Sequence, residues 1–163
     1  MRIRKGLSSV ILLTLEKSID GYMRLDDFAY HHYRYHWEIP ELSKPALSKA
    51  LKRLRENGLI DFIDEKELVL RLTDEGKTQA LWAKLKFEEE EWDGKWRIII
   101  WDIPEKKRAV RDLLRSKLKE LGFKHWQKSV WASKVNCTQL LRDFLKKVGI
   151  EDWVMVVESD NVG

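Results

Sequence analysis

Two sets of cations and one isolated carboxylate carry the chemistry that this chain's side chains offer. Lys44, Ser48, Lys49, Lys52, Arg53 and Arg55, preceded by Ser43, alternate with Leu47, Ala50, Leu51 and Leu54. That spacing predicts a helix with one apolar side and one side of ammonium, guanidinium and hydroxyl groups. Such a side suits phosphates and base edges, and an ordinary solvated face has the same composition. Lys107, Arg111, Arg115 and Lys119 recur every four residues and line a second helix opposite Leu113, Leu114 and Leu118. They form either a second phosphate surface or a solubilising face. Asp102 follows the apolar run Arg97 to Trp101 and precedes Pro104, where a carboxylate is placed to accept N–H groups at a helix start. His31, His32 and His36 lack a carboxylate or cysteine at ligand spacing beyond Glu38, so no metal site is expected there. The neighbouring Tyr30, Tyr33, Tyr35 and Trp37 read as helix packing or a dimer contact. Cys137, without a base or resolving cysteine nearby, reads as a buried helix-start residue.

The elements that position these groups follow from periodicity and turn signals. Arg97 to Trp101 is too short for a helix and reads as a buried strand. Pro104 favours a helix starting there, with Val110, Leu113, Leu114, Leu118 and Leu121 on its apolar face and Gly122 as its end. Phe123 to Gln127 and Ser129 to Ser133 are expected strands. Leu140, Leu141, Phe144, Leu145 and Val148 mark another helix, closed by Gly149, and Trp153 to Glu158 a last strand. The order βαββαβ is the ferredoxin-like split arrangement, with two helices on one face of an antiparallel sheet. Trp101, Trp126, Trp131 and Trp153 are expected in its core. So apolar a sheet is expected to bury an edge or face in a second copy.

The first half reads as three helices and a hairpin. Leu7 to Lys17 is the first helix, with Ser8 or Ser9 as caps. Leu25 to about Tyr33 is the second, and Ser43 caps the third, which closes at Asn57-Gly58. Leu59 to Ile63 and Leu68 to Leu72 are strands joined at Asp64-Glu65-Lys66. Three helices and a hairpin make a winged helix, whose third helix enters the major groove. The expected wing is acidic, with Asp61, Asp64, Glu65 and Glu67 around Lys66, so the helix should dominate DNA contact.

Two resemblances sharpen this reading. Leu72-Thr73-Asp74-Glu75-Gly76-Lys77, leading into Ala80, Leu81 and Leu85, resembles the LT-x-x-G close of many winged-helix repressors. WDGKWRIIIWDIPEKKR, LKELGF and QKSVW resemble the central domain of the PaaX-like transcriptional repressors over Trp92 to Ser159. That domain is in turn similar to the small ferredoxin-like CRISPR-associated nuclease that partners the spacer integrase. The longer repressors carry a further C-terminal domain, whose function is not expected from these residues. In the CRISPR-associated relatives an aspartate at the end of the first strand meets its twin across a dimer to hold a divalent ion, and Asp102 matches that position. The resemblance thus implies Mg²⁺ or Mn²⁺ at Asp102 if the chain is a nuclease, and no cofactor otherwise.

Composition agrees with two α+β domains. The overall charge is only +4, but residues 1–86 carry 16 Lys+Arg against 13 Asp+Glu and residues 95–163 carry 15 against 9. Residues 87–94 hold five acids and no base, and read as an acidic linker between a winged helix over 1–86 and a ferredoxin-like dimerisation domain over 95–163. One cysteine excludes an internal disulfide. No window approaches the ~20 apolar residues of a membrane span. The expectation is a cytoplasmic homodimeric repressor on double-stranded DNA, with no membrane partner and no fingerprint of a small-molecule effector. The alternatives are a nuclease using Asp102 and a non-catalytic nucleic-acid-binding adaptor.

Overall fold

A computed structural model of the chain describes residues 6–18, 20–26, 28 and 43–162. The fold is α+β with antiparallel sheets, in two compact units, 1–87 and 88–163. Beyond Phe28, the expected second helix, the three histidines 31, 32 and 36 and their aromatic neighbours lie outside the described residues.

In the first unit α1 (Leu7–Lys17) is buried almost all round, through Val10, Ile11, Leu12, Leu13 and Leu15. Thr14 tolerates this because its hydroxyl donates to the Val10 carbonyl at 2.8 Å. Gly6, with no side-chain cap, precedes α1, so Ser8 and Ser9 lie inside the helix and are not its caps. A three-residue strand, β1 (Tyr22–Arg24), follows; it is too short to leave a period in the sequence. Next come α2 (Lys44–Glu56), β2 (Ile60–Asp64), β3 (Val69–Leu72) and α3 (Asp74–Phe87), the strands in order β1-β3-β2.

The β2–β3 connection is longer than expected. The Asp64 carboxylate accepts the N–H groups of Lys66 and Glu67 at 2.8 and 3.0 Å, and Leu68, at φ 49°, belongs to the turn and not to a strand. The Thr73-to-Gly76 turn has a clear physical basis. The Thr73 hydroxyl accepts from Gly76 N–H at 3.0 Å, capping α3, and a Cβ on Gly76 would lie 1.8 Å from the Leu59 carbonyl oxygen. Only glycine lets α3 pass so close to the Leu59 carbonyl, just before β2. Gly76, Ala80 and Ala83, spaced four and three apart, define the buried side of α3 together with Trp82, while Leu81 is exposed.

The second unit comprises β4 (Trp96–Trp101), α4 (Arg108–Glu120), β5 (Lys124–Gln127), β6 (Val130–Ser133), α5 (Thr138–Val148) and β7 (Val154–Ser159). Its sheet order is β5-β6-β4-β7, all neighbours antiparallel, so two split βαβ units interleave as the sequence pattern predicts. Ile99, Trp101, Leu114, Leu118, Trp131, Leu141, Leu145 and Ile150 are buried. The opposite sheet face carries Ile98 against Val157 and Ala132, and Ile100 against Met155 and Val130. It stays open, with Ile100 40% and Met155 61% exposed.

Several details differ from the sequence reading. Pro104 is extended, and a 3₁₀ turn at Glu105–Lys107 precedes α4. Leu114 and Leu118 form the buried stripe of α4, continued by Leu121 just past its end; Leu113, one step round the helix, is exposed. Trp153 lies in a 3₁₀ turn, not a strand, and Trp126 is 51% exposed. Gly149 closes α5 in the left-handed conformation, φ 67°, as expected of a glycine at that place. Among the described residues no helix is long and apolar enough to cross a membrane.

Candidate nucleic-acid interface

The local sequence around α2 explains where it begins and ends. The Ser43 hydroxyl accepts the Ala46 N–H at 3.2 Å, Pro45 occupies the first turn, and Gly58 (φ 68°) turns the chain out at the end. Leu47, Ala50, Leu51 and Leu54 are buried, which leaves Lys44, Ser48, Lys49, Lys52, Arg53 and Arg55 exposed. Six of the seven predicted contact residues are therefore exposed on one helix, and the seventh, Ser43, is the cap before it. The structure divides them. Lys44, Ser48, Lys52 and Arg55 border a groove of about 710 Å³ floored by Leu25, Leu47, Leu51, Phe62 and Leu68, and Lys49 and Arg53 lie outside it.

Ion pairs separate them further. Arg55 reaches Glu65 at 2.8 Å and stacks 5.1 Å from the Phe62 ring centre, and Lys52 lies 3.8 Å from Glu56. Among the described residues Lys44, Lys49 and Arg53 form no ion pair. The hairpin acids are engaged too, Asp61 by Arg71 at 3.5 Å and Glu67 by Arg24. The hairpin is thus less repulsive to phosphates than its composition implies.

The α4 cations are less available than their spacing suggests. Lys107 donates to the Gly149 carbonyl at 3.2 Å and lies 4.9 Å from the Trp153 ring centre. Arg111 pairs with Glu105 at 3.0 Å and its Nε is buried without a partner, while Arg115 leans on Asp112 at 3.4 Å. Lys119 is exposed. The stripe exists as a row of residues, but most of its charge is spent inside the unit.

Asp102 is exposed at the end of β4. Its N–H donates to the Trp153 carbonyl at 2.9 Å, and among the described residues its carboxylate has no hydrogen bond or ion pair. It does not accept N–H groups at the helix start, because extended Pro104 and the 3₁₀ turn carry those groups away from it. Nor do the residues of one chain fit a divalent ion. Among the described residues no three His, Cys, Asp or Glu side chains are arranged to hold a metal ion, and hard cations take six or more oxygens.

The sequence reading missed a buried charge. Arg97 is 2% exposed, its guanidinium held by both oxygens of Asp93 at 2.6 Å, by Asn136 Oδ1 at 2.8 Å and near Glu158 at 3.5 Å. Thr138 joins the cluster, donating to Glu158 and accepting from Arg97 Nε at 3.4 Å. The Arg97 hydrogen bond holds Asp93 down to about 2, against some opposition from burial. The Thr138 hydroxyl similarly lowers Glu158. Cys137, beside them at the start of α5, is buried and pushed up to about 12 by loss of solvent, so it is no nucleophile. One signal was present in the sequence: Arg97 alternates in phase with Ile99 and Trp101, and a lone charge on the inward face of an apolar strand must find partners.

Residues 89–163 match the family model described as the PaaX protein central Cas2-like domain. A search of curated proteins finds no significant match.

Proposed function

We propose, from the match of residues 89–163 to the PaaX central Cas2-like domain, that the chain is a cytoplasmic DNA-binding transcriptional regulator of PaaX-like type, a repressor acting as a homodimer. The first unit is read as a winged helix, α2 as the helix that enters the major groove and the β2–β3 hairpin as the wing. The observation that carries this reading is α2 itself: a capped helix, buried through Leu47, Ala50, Leu51 and Leu54, that exposes five cations and one acid, Glu56, with three of the cations unpaired among the described residues. Phosphate contacts of this kind supply most of the affinity of a DNA-binding module. Dimerisation is supported by the open face of the second unit, where Ile98, Ile100, Met155 and Val157 stand side by side on adjacent strands. Two copies joined there would present two reading helices to an inverted site.

The nuclease reading has one observation in its favour, the exposed and unpartnered carboxylate of Asp102. It needs a second copy to bring a second carboxylate. One experiment separates the readings. Duplexes are selected from random DNA with metals chelated, then incubated with the protein and Mg²⁺ or Mn²⁺. Enrichment of an inverted repeat that stays intact supports the repressor; metal-dependent cutting supports the enzyme; no enrichment removes the reading of α2.

A further inference from the structure

The β5 strand presents a surface that the proposed regulator does not use. From Leu121 to Arg142 the chain has no acidic residue, and its first cations, Lys124 and Lys128, flank Trp126 in the run Lys-His-Trp-Gln-Lys. Every residue of β5 is exposed. Trp126 is 51% exposed, a large loss of apolar burial for the residue type that contributes most to cores.

The position of Trp126 is structurally specified. β5 pairs with β6 through Lys124 to Ala132 and His125 to Trp131, then shifts register so that Gln127 faces Val130. Trp126 is the extra residue of that bulge, with no opposite number on β6. Bulges re-aim a side chain and bend an edge strand. The neighbouring Trp131 shows the contrast, buried in the core 5.5 Å from the His125 ring. A bulge and two lysines would also protect an edge against strand pairing, but that purpose needs no tryptophan. Among the described residues neither Lys124 nor Lys128 forms an ion pair or a side-chain hydrogen bond. This distinguishes them from the α4 row, where Arg111 and Arg115 are already paired.

We propose that the β5 edge, with Trp126 as a stacking surface and Lys124 and Lys128 as phosphate contacts, binds single-stranded nucleic acid. The chemistry is complementary: unpaired bases offer π-faces to an exposed indole, and their backbone supplies an anion every nucleotide to cations that have no internal partner. A duplex hides those faces in its stack, so Trp126 has little to offer it. The inference stands apart from the reading of α2, since it concerns another unit and another form of nucleic acid.

The test titrates fluorescein-labelled oligothymidylate of twenty nucleotides, and separately a twenty-base-pair duplex, with the full chain and follows anisotropy. Trp126→Ala should weaken oligothymidylate binding roughly tenfold, within the range for loss of one base stack, and Trp126→Phe should recover part of it. Lys124→Ala with Lys128→Ala should flatten the logarithmic salt slope by about 1.4, two single-strand contacts. Duplex affinity should stay unchanged in all three variants, and circular dichroism should show them folded. An oligothymidylate affinity indifferent to Trp126→Ala overturns the proposal, as does a wild-type chain that does not bind it. So does loss of self-association in the ultracentrifuge without loss of oligothymidylate binding, which would make the ring a contact between copies. Failure of the duplex arm alone would count against α2 and leave this surface standing.

Discussion

Removing Lys49 and Arg53 together should cost this protein two phosphate contacts, whereas removing Arg55 together with Glu65 should cost none. Lys49 and Arg53 are exposed on α2, outside the groove, and have no ion-pair partner among the described residues. Each is free to displace one counterion from duplex DNA, which corresponds to a slope of about 0.9 in log K against log salt. Two lost contacts flatten the slope by about 1.8, so a fourfold rise from about 50 to 200 mM salt should shrink the wild-type advantage about twelvefold. Arg55 behaves differently because Glu65, 2.8 Å away, already neutralises it. Deleting both partners removes a neutral pair and should leave the slope unchanged. Anisotropy titrations of a selected duplex at four salt concentrations measure this directly, and all four side chains are exposed enough that truncation should spare the fold. An Arg55→Ala plus Glu65→Ala variant as flat as the Lys49→Ala plus Arg53→Ala variant would refute the argument that pairing within the protein decides which cations bind.

Other consequences follow from the second unit. Met155→Glu on the open sheet face should abolish self-association in sedimentation experiments while circular dichroism shows the fold retained, and should remove any concentration dependence of the melting temperature; a persistent dimer would move the interface elsewhere. Asp102→Asn should leave both stability and duplex binding unchanged, since the carboxylate has no partner among the described residues, and loss of a metal-dependent cleavage activity on this substitution would favour the enzyme. Asp93 and Glu158 are both depressed in the folded state, so their stabilising contribution is present above the ordinary carboxylate range and is lost as pH falls. For Asp93, whose ordinary value is 3.8, that window runs from about 4 down to about 2, and Asp93→Asn should remove part of the acid dependence of unfolding followed by circular dichroism. Cys137 should resist a thiol reagent at pH 8 in the folded protein and react on addition of denaturant, because its sulfur is buried and protonated; fast reaction in the native state would show that α5 opens readily.

The sequence revealed elements well where a period and a stop signal coincided. Ser43, Pro45 and Asn57-Gly58 bracket α2, and Pro104 with Gly122 brackets the region of α4. It was less reliable for which of two adjacent leucines points inward. Leu113 and Leu114, or Leu81 and its neighbours, differ by one step of a helix, and only the packed partner decides between them. Tryptophan identity misled in the same way: Trp101 and Trp131 are core, while a bulge that no local rule announces turns Trp126 outward. The exposed face of α2 was legible in the sequence, but the availability of its cations was not. Arg55 finds Glu65 across a helix–hairpin junction, and Arg97 draws on Asn136, Thr138 and Glu158 from distant segments. Such pairings are set by tertiary structure, which leaves no spacing in the chain.

The interleaved strand order also determines when each unit can form during synthesis. In the first unit β1, β2 and β3 all precede α3, so that sheet can close early. In the second unit the central strand β4 is made first, yet one of its two partners is β7, with Trp96 opposite Ser159 and Trp101 opposite Val154. Until that last strand leaves the ribosome, the run Trp-Arg-Ile-Ile-Ile-Trp holds a bare hydrogen-bonding edge beside an apolar face. Late closure of distant contacts is slow, and an unpaired apolar strand is what other nascent chains aggregate on. Arg97, in the middle of that run, is charged throughout the wait and becomes buried only when Glu158 and Asn136 arrive. The same residue that demands a network in the finished fold thus keeps the strand soluble before the fold exists.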